Sequence, residues 1–124
     1  MGCDLRVAAI DVSHWHARYD SAWLPVFRDL GASFVGMSDV DGTIAAARAG
    51  EFGGRSFTDY RAMVQETKPD FVVAMGRHVD MPERFRFLVG EGVPFLMEKP
   101  WGTDAATVNA LVELAENKGA WAAI

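Results

Sequence analysis

Glu98-Lys99-Pro100 closes the apolar run Val93-Pro94-Phe95-Leu96-Met97. Two opposite charges and a rigid proline thus stand at the end of a buried strand. In an open parallel sheet, ligands collect at the carboxyl ends of the strands. Lys99 there can donate to a substrate oxygen, or hold the alkoxide that develops during hydride transfer. Glu98 can orient Lys99 or bind a ribose. Pro100 fixes the turn and can do so as a cis peptide. The tripeptide alone is common and equally describes a salt bridge beside a turn; its place after a strand gives it value.

Other chemistry-bearing residues fall at similar places. Asp11-Val12-Ser13-His14-Trp15-His16 follows the first strand, Leu5 to Ile10, where a dinucleotide fold carries its glycine-rich turn. Asp11, Ser13 and His16 stand where the glycines are expected. Ser13 is small enough to substitute. Asp11 brings a negative charge toward a dianionic pyrophosphate, unfavourable unless the carboxylate is paired or points away. Asp39 ends the second strand at about the 20-residue spacing of a ribose-binding acid. A carboxylate there accepts from both ribose hydroxyls and repels a 2′-phosphate, favouring NAD over NADP. The alternative is that Asp39, with Asp41, caps the next helix. Arg77 and His78 follow the fourth strand, where Arg77 can meet phosphate or carboxylate and His78 can do acid–base work; the alternative is a solvated loop with Asp80 as a cap. A rival reading takes His14-Trp15-His16 with Asp11 as a zinc site of a hydrolase. Such enzymes use barrels of roughly 250 residues, and no later ligand cluster follows.

The elements that must position these residues alternate regularly. Strands are expected at Leu5–Ile10, Ser33–Ser38, Arg55–Phe57, Asp70–Met75 and Phe95–Met97, with a sixth beginning at Ala120. Between them, apolar residues recur at helical spacing. Tyr19, Trp23, Val26, Phe27 and Leu30 mark the first helix, interrupted or delayed by Pro25. Thr43 to Ala49 forms the second. Thr58 is expected to cap the third. Pro82 sits in the first turn of the fourth, which Gly90 and Gly92 break. Thr103 or Asp104 caps the fifth. Alternation with short connections predicts an α/β fold: a doubly wound, Rossmann-like parallel sheet in three α/β/α layers.

Composition narrows the partners. The chain has 124 residues, half of them hydrophobic, and a formal charge of −5. That suits one domain over residues 1–124, with a real core. The acidic balance argues against nucleic acid or an anionic membrane as partner. No apolar run is long enough to cross a bilayer. The first residues lack the pattern of a signal peptide, and one cysteine cannot form an internal disulfide, so a cytoplasmic setting is expected. The chain ends as a strand begins, as a fragment whose next domain is missing would.

Taken together, these residues resemble the N-terminal domain of the Gfo/Idh/MocA family. The resemblance rests on Arg6-Val7-Ala8-Ala9-Ile10 with its His-containing loop, Ser38-Asp39, Phe57-Thr58-Asp59-Tyr60, Pro69-Asp70-Phe71-Val72-Val73, and above all Gly92 through Pro100. It implies an NAD(P)-dependent oxidoreductase of sugars, polyols or related compounds, homo-oligomeric when complete. It places Lys99 beside nicotinamide and substrate, and puts the remaining catalytic residues in a C-terminal domain that this chain lacks, so that the chain alone should not turn over. The cofactor-binding set so implied is Asp11, Val12, Ser13, His14, Trp15, His16, Asp39, Met75, Gly76, Arg77, Glu98, Lys99 and Pro100, with no metal ligand. The chain departs from the family pattern twice: in the glycine-poor first loop, and in Gly76-Arg77 where Pro-Asn is usual. A non-catalytic relative kept as a binding module is the alternative.

Overall fold

The computed structural model describes residues 4–14 and 23–123. Six strands, β1 (Arg6–Ile10), β2 (Ser33–Ser38), β3 (Arg55–Phe57), β4 (Phe71–Ala74), β5 (Phe95–Met97) and β6 (Ala122–Ala123), form one sheet in the order β3-β2-β1-β4-β5-β6. Every pairing is parallel. The order reverses between β1 and β4, so the loops after these two strands diverge and open a crevice. This is the doubly wound architecture expected from the alternation of elements.

Helices α1 (Trp23–Asp29), α2 (Gly42–Phe52), α3 (Tyr60–Thr67), α4 (Met81–Glu91) and α5 (Ala105–Lys118) cover both faces. The central strands carry apolar side chains to both sides, as a sheet buried on both faces requires. Val7 and Ala9 of β1 pack with Val73, Leu24 of α1 and Met37. Ala8 and Ile10 turn the other way and pack with Val72, Met63 of α3, Phe85 of α4 and Leu111 of α5. The sheet is thereby the middle of three layers.

The helix starts follow from carboxylate caps. Asp41 accepts from the amides of Thr43 and Ile44 at 3.0 and 3.3 Å, and Asp104 from that of Thr107 at 2.7 Å. Such carboxylates satisfy amides that the first turn of a helix leaves without partners. For α3 the capping residue is Asp59, which accepts from the Arg61 amide at 2.9 Å, and not Thr58; the charged acceptor lies one position nearer the first turn. Gly90 does not break α4. It lies within the helix, and Gly92 ends it in the left-handed conformation, φ 72°, which glycine adopts without a Cβ penalty. Asp80 stands at the N-cap of α4 but makes no side-chain cap bond, because its carboxylate is taken by Arg77 at 2.9 Å. Tyr19 of the expected first helix and Ile124 of the expected sixth strand lie outside the described residues.

Candidate functional site

The carboxyl ends of β1, β2, β4 and β5 converge on two adjoining clefts. One, of about 240 Å³, is lined by Asp11, Ser13, His14, Asp39, Val40, Gly76, Arg77, Asp80 and Arg84. The other, of about 390 Å³, is lined by His14, Gly76, Arg77, His78, Val79, Lys99 and Pro100. They share His14, Gly76 and Arg77, so together they run along the top of the sheet from Asp39 to Lys99. A further hollow of about 340 Å³ lies at the opposite edge, where Val64, Lys68 and Pro94 line it; the strand carboxyl ends do not reach it.

Asp39 is buried, 4% exposed, at the end of β2. Its two carboxylate oxygens accept from the amides of Ser13 at 2.8 Å and Asp41 at 2.9 Å. The acid therefore ties the β1 loop to the β2 loop. Asp41, and not Asp39, caps the next helix. Each carboxylate oxygen keeps a second lone pair for a ligand hydroxyl.

Asp11 is not a loose charge. Its backbone takes the left-handed conformation, φ 62°, the geometry that a glycine would adopt without strain. Its carboxylate receives both arms of the Arg84 guanidinium, Nε at 2.8 Å and Nη2 at 3.1 Å. Arg84 is 9% exposed and its guanidinium also lies over the Tyr60 ring, 4.7 Å from the centroid. Burial holds the Asp11 carboxyl above its ordinary range, and the Arg84 hydrogen bonds and charge offset this only in part. Burial lowers the Arg84 guanidinium, but the bonds and charge of Asp11 more than offset this and raise it.

Gly76 belongs to the same unit. A Cβ at position 76 would run into the Asp11 carboxylate. A proline there, as the family pattern has it, would collide with it. Asp11 and Gly76 thus fit one another: the carboxylate occupies the space that the missing side chain leaves.

The rest of the loop is engaged within the protein. The amides of Val12, Ser13 and His14 donate to Ser38 O, Asp39 and Asp11 O respectively. The side chains of Val12 and Met75 are buried in the core, leaving only backbone to meet a ligand. Trp15 and His16 lie outside the described residues.

At the far end, the Glu98 amide continues the ladder by donating to Ala74 O at 3.0 Å. Its carboxylate accepts from Trp23 Nε1 of α1 at 2.7 Å. The Lys99–Pro100 bond is cis, and Trp101 Nε1 donates back to Met97 O at 2.9 Å. The turn so made leaves Lys99 exposed on the cleft wall.

Sequence reasoning missed Arg84 and Trp23. The signal for Arg84 was a charged residue in an apolar stripe, three after Met81 and four before Leu88. Trp23 read only as a packing residue. For the zinc alternative, Asp11 is committed to Arg84, and among the described residues no group of three or more His, Cys, Asp or Glu is arranged to hold a metal ion. No described helix is long and apolar enough to cross a membrane.

The donor set fits a dinucleotide. Asp39 at the β2 end could accept from a ribose diol, the Asp11 carboxylate in the first loop is paired with Arg84, and Lys99 stands at the other end.

The fold is similar to that of several solved structures. The fold matches the WlbA dehydrogenase of Chromobacterium violaceum in complex with NADH and UDP-GlcNAcA, at 17% identity and TM-score 0.86, covering 96% of this chain and 34% of that one. It matches an oxidoreductase of Agrobacterium radiobacter in complex with NAD+, L-tartaric acid and magnesium, at 20% identity and TM-score 0.86, covering 97% and 34%. It also matches the myo-inositol 2-dehydrogenase of Lactobacillus plantarum, at 20% identity and TM-score 0.81, covering 97% and 36%. The chain spans about a third of the length of these structures. No curated protein matches the sequence. The profile described as "Oxidoreductase family, NAD-binding Rossmann fold" matches residues 11–124, and the chain belongs to this Gfo/Idh/MocA family.

Proposed function

We propose that this domain binds NAD across the crevice between β1 and β4 and presents Lys99 for hydride transfer to or from a sugar, polyol or related compound. The observation that carries the reading is the continuous pair of clefts from Asp39 to Lys99. Asp39 would accept from the hydroxyls of the adenosine ribose, and its charge disfavours a 2′-phosphate. The shared stretch at His14, Gly76 and Arg77 would pass the pyrophosphate. The Lys99 ammonium would donate to the reacting oxygen of the substrate and hold charge that develops there. Glu98, fixed by Trp23, sets the strand end from which Lys99 projects. NAD, when bound, accepts or supplies the hydride.

Turnover is proposed for the complete enzyme, in which a substrate domain adds the remaining acid–base groups. A homo-oligomer and a cytoplasmic setting belong to the same reading.

One observation favours a second reading, a relative that no longer binds dinucleotide. The amides of Val12, Ser13 and His14 all serve the protein, and none of them is offered to a phosphate. Calorimetric titration separates the two. The proposal expects saturable NAD binding, tighter than NADP, and weakened about ten-fold or more in Asp39→Ala, since hydrogen bonds to a charge are worth about 1.5–3 kcal/mol. Absence of heat with NAD up to millimolar concentration would decide for the second reading. In the complete enzyme, Lys99→Met should lower kcat far more than it changes the NAD dissociation constant.

A further inference from the structure

A dinucleotide fold opens its first loop with a glycine, which makes the turn without strain and brings no charge toward the pyrophosphate. Here Asp11 makes that turn. A carboxylate at this place is tolerable only if something holds it and cancels its charge. Arg84 does both, through two hydrogen bonds from a buried guanidinium. Gly76 supplies the room that the carboxylate fills. Tyr60 covers the face of the guanidinium and fixes its plane.

We propose that Asp11, Gly76 and Arg84 together replace the first glycine of the loop, and that Arg84 is a positioning residue for the cofactor, acting through Asp11. The inference rests on the reading that NAD lies across this crevice. Arg84 keeps the turn in its left-handed shape and removes a negative charge that would otherwise face the pyrophosphate. The same cleft holds Asp39 and Asp80 against Arg77, and Arg77 is bound to Asp80. No other described cation pairs with Asp11. The pair is also a fork-to-carboxylate match that lysine cannot reproduce.

The test is a set of NAD titrations on the parent, Arg84→Gln, Arg84→Lys, Asp11→Asn and the Asp11→Asn/Arg84→Gln double variant, each with a thermal melt. Arg84→Gln leaves a half-buried unpaired carboxylate and should weaken NAD about ten-fold or more. Arg84→Lys should fall between it and the parent. The double variant should return to within about three-fold of the parent, because asparagine tolerates the left-handed turn and carries no charge. Asp11→Asn alone should bind NAD no more weakly than the parent.

Each affinity is read beside its melt: affinity that returns in the double variant while its melting temperature stays below the parent's follows the charge at position 11, whereas affinity that tracks the melting temperature across the set overturns the inference. If Arg84→Gln fails to fold, the double variant measured against Asp11→Asn carries the test: in the neutral background, removing Arg84 should leave affinity nearly unchanged. Parent-like binding by Arg84→Gln, or a double variant as weak as Arg84→Gln, overturns the inference and leaves NAD binding standing. A parent that does not bind NAD overturns both.

Discussion

The indole Nε1 of Trp23 donates to the Glu98 carboxylate at 2.7 Å, across 75 positions of sequence. One bond thereby joins the first residue of α1 to the motif at the end of β5. Trp23→Phe keeps the packing against Phe27, whose ring lies 6.4 Å away, and removes the donor. A hydrogen bond to a charged group is worth about 1.5–3 kcal/mol, so denaturant unfolding should show a loss of that order. In a Glu98→Gln background the same substitution should cost clearly less; equal costs in both backgrounds would refute the coupling.

Gly76 and Asp11 should be coupled by volume. Gly76→Ala forces a Cβ into the Asp11 carboxylate and near the Met81 methyl. Overpacking of this kind costs about 1–3 kcal/mol. With Asp11→Gly in place the carboxylate is gone and the flexible methionine can swing aside, so the added cost of Gly76→Ala should fall below about 1 kcal/mol. Two additive single costs in the unfolding experiment would argue against the shared space.

Tyr60 should titrate late. Burial, then the hydrogen bond to Glu83 at 3.0 Å and its charge, push the phenol from 10.0 up to about 12. A raised value means that the folded state prefers the neutral phenol. The stability this provides is complete below pH 10.0 and is lost as pH rises through about 12. Ultraviolet difference titration should show one transition near pH 12 that disappears in Tyr60→Phe. A single transition for both tyrosines near pH 10.0 is the contrary result.

Asp104 should behave in the opposite sense. The Thr107 amide, then its hydroxyl, hold the carboxyl below its ordinary 3.8. Its contribution is therefore present above pH 3.8 and lost as pH falls through the lower folded value. Asp104→Ala should destabilise α5 at neutral pH, and the gap between variant and parent melts should close in acid. A gap independent of pH would mean that the cap acts without its charge.

The sheet was legible because alternation of apolar strands and periodic helices is a local signal, and the place of Asp39 at the end of β2 because its spacing from the first loop is fixed by one βαβ unit. Cap positions were legible to within a residue: the choice between Thr58 and Asp59 depends on backbone geometry that composition does not carry. Gly90 misled because a helix glycine costs only about 1 kcal/mol, which packing by Leu88 and Val89 overcomes. The meaning of Asp11 was not legible at all. Its partner Arg84 lies 73 positions away, on a helix face that reads as apolar core. Only the fold brings the acid, the base and the vacancy left by Gly76 to one point.

A loop built in this way is not portable. A glycine turn can be grafted as a short peptide, since its backbone freedom travels with it. The turn at Asp11 depends on the Arg84 side chain delivered by α4 and on the space left at Gly76 after β4, so its recognition pattern is distributed over three separated segments. A search for dinucleotide loops confined to one short window would pass over it, whereas one that paired an acid at the turn with a distant glycine and arginine would recover it.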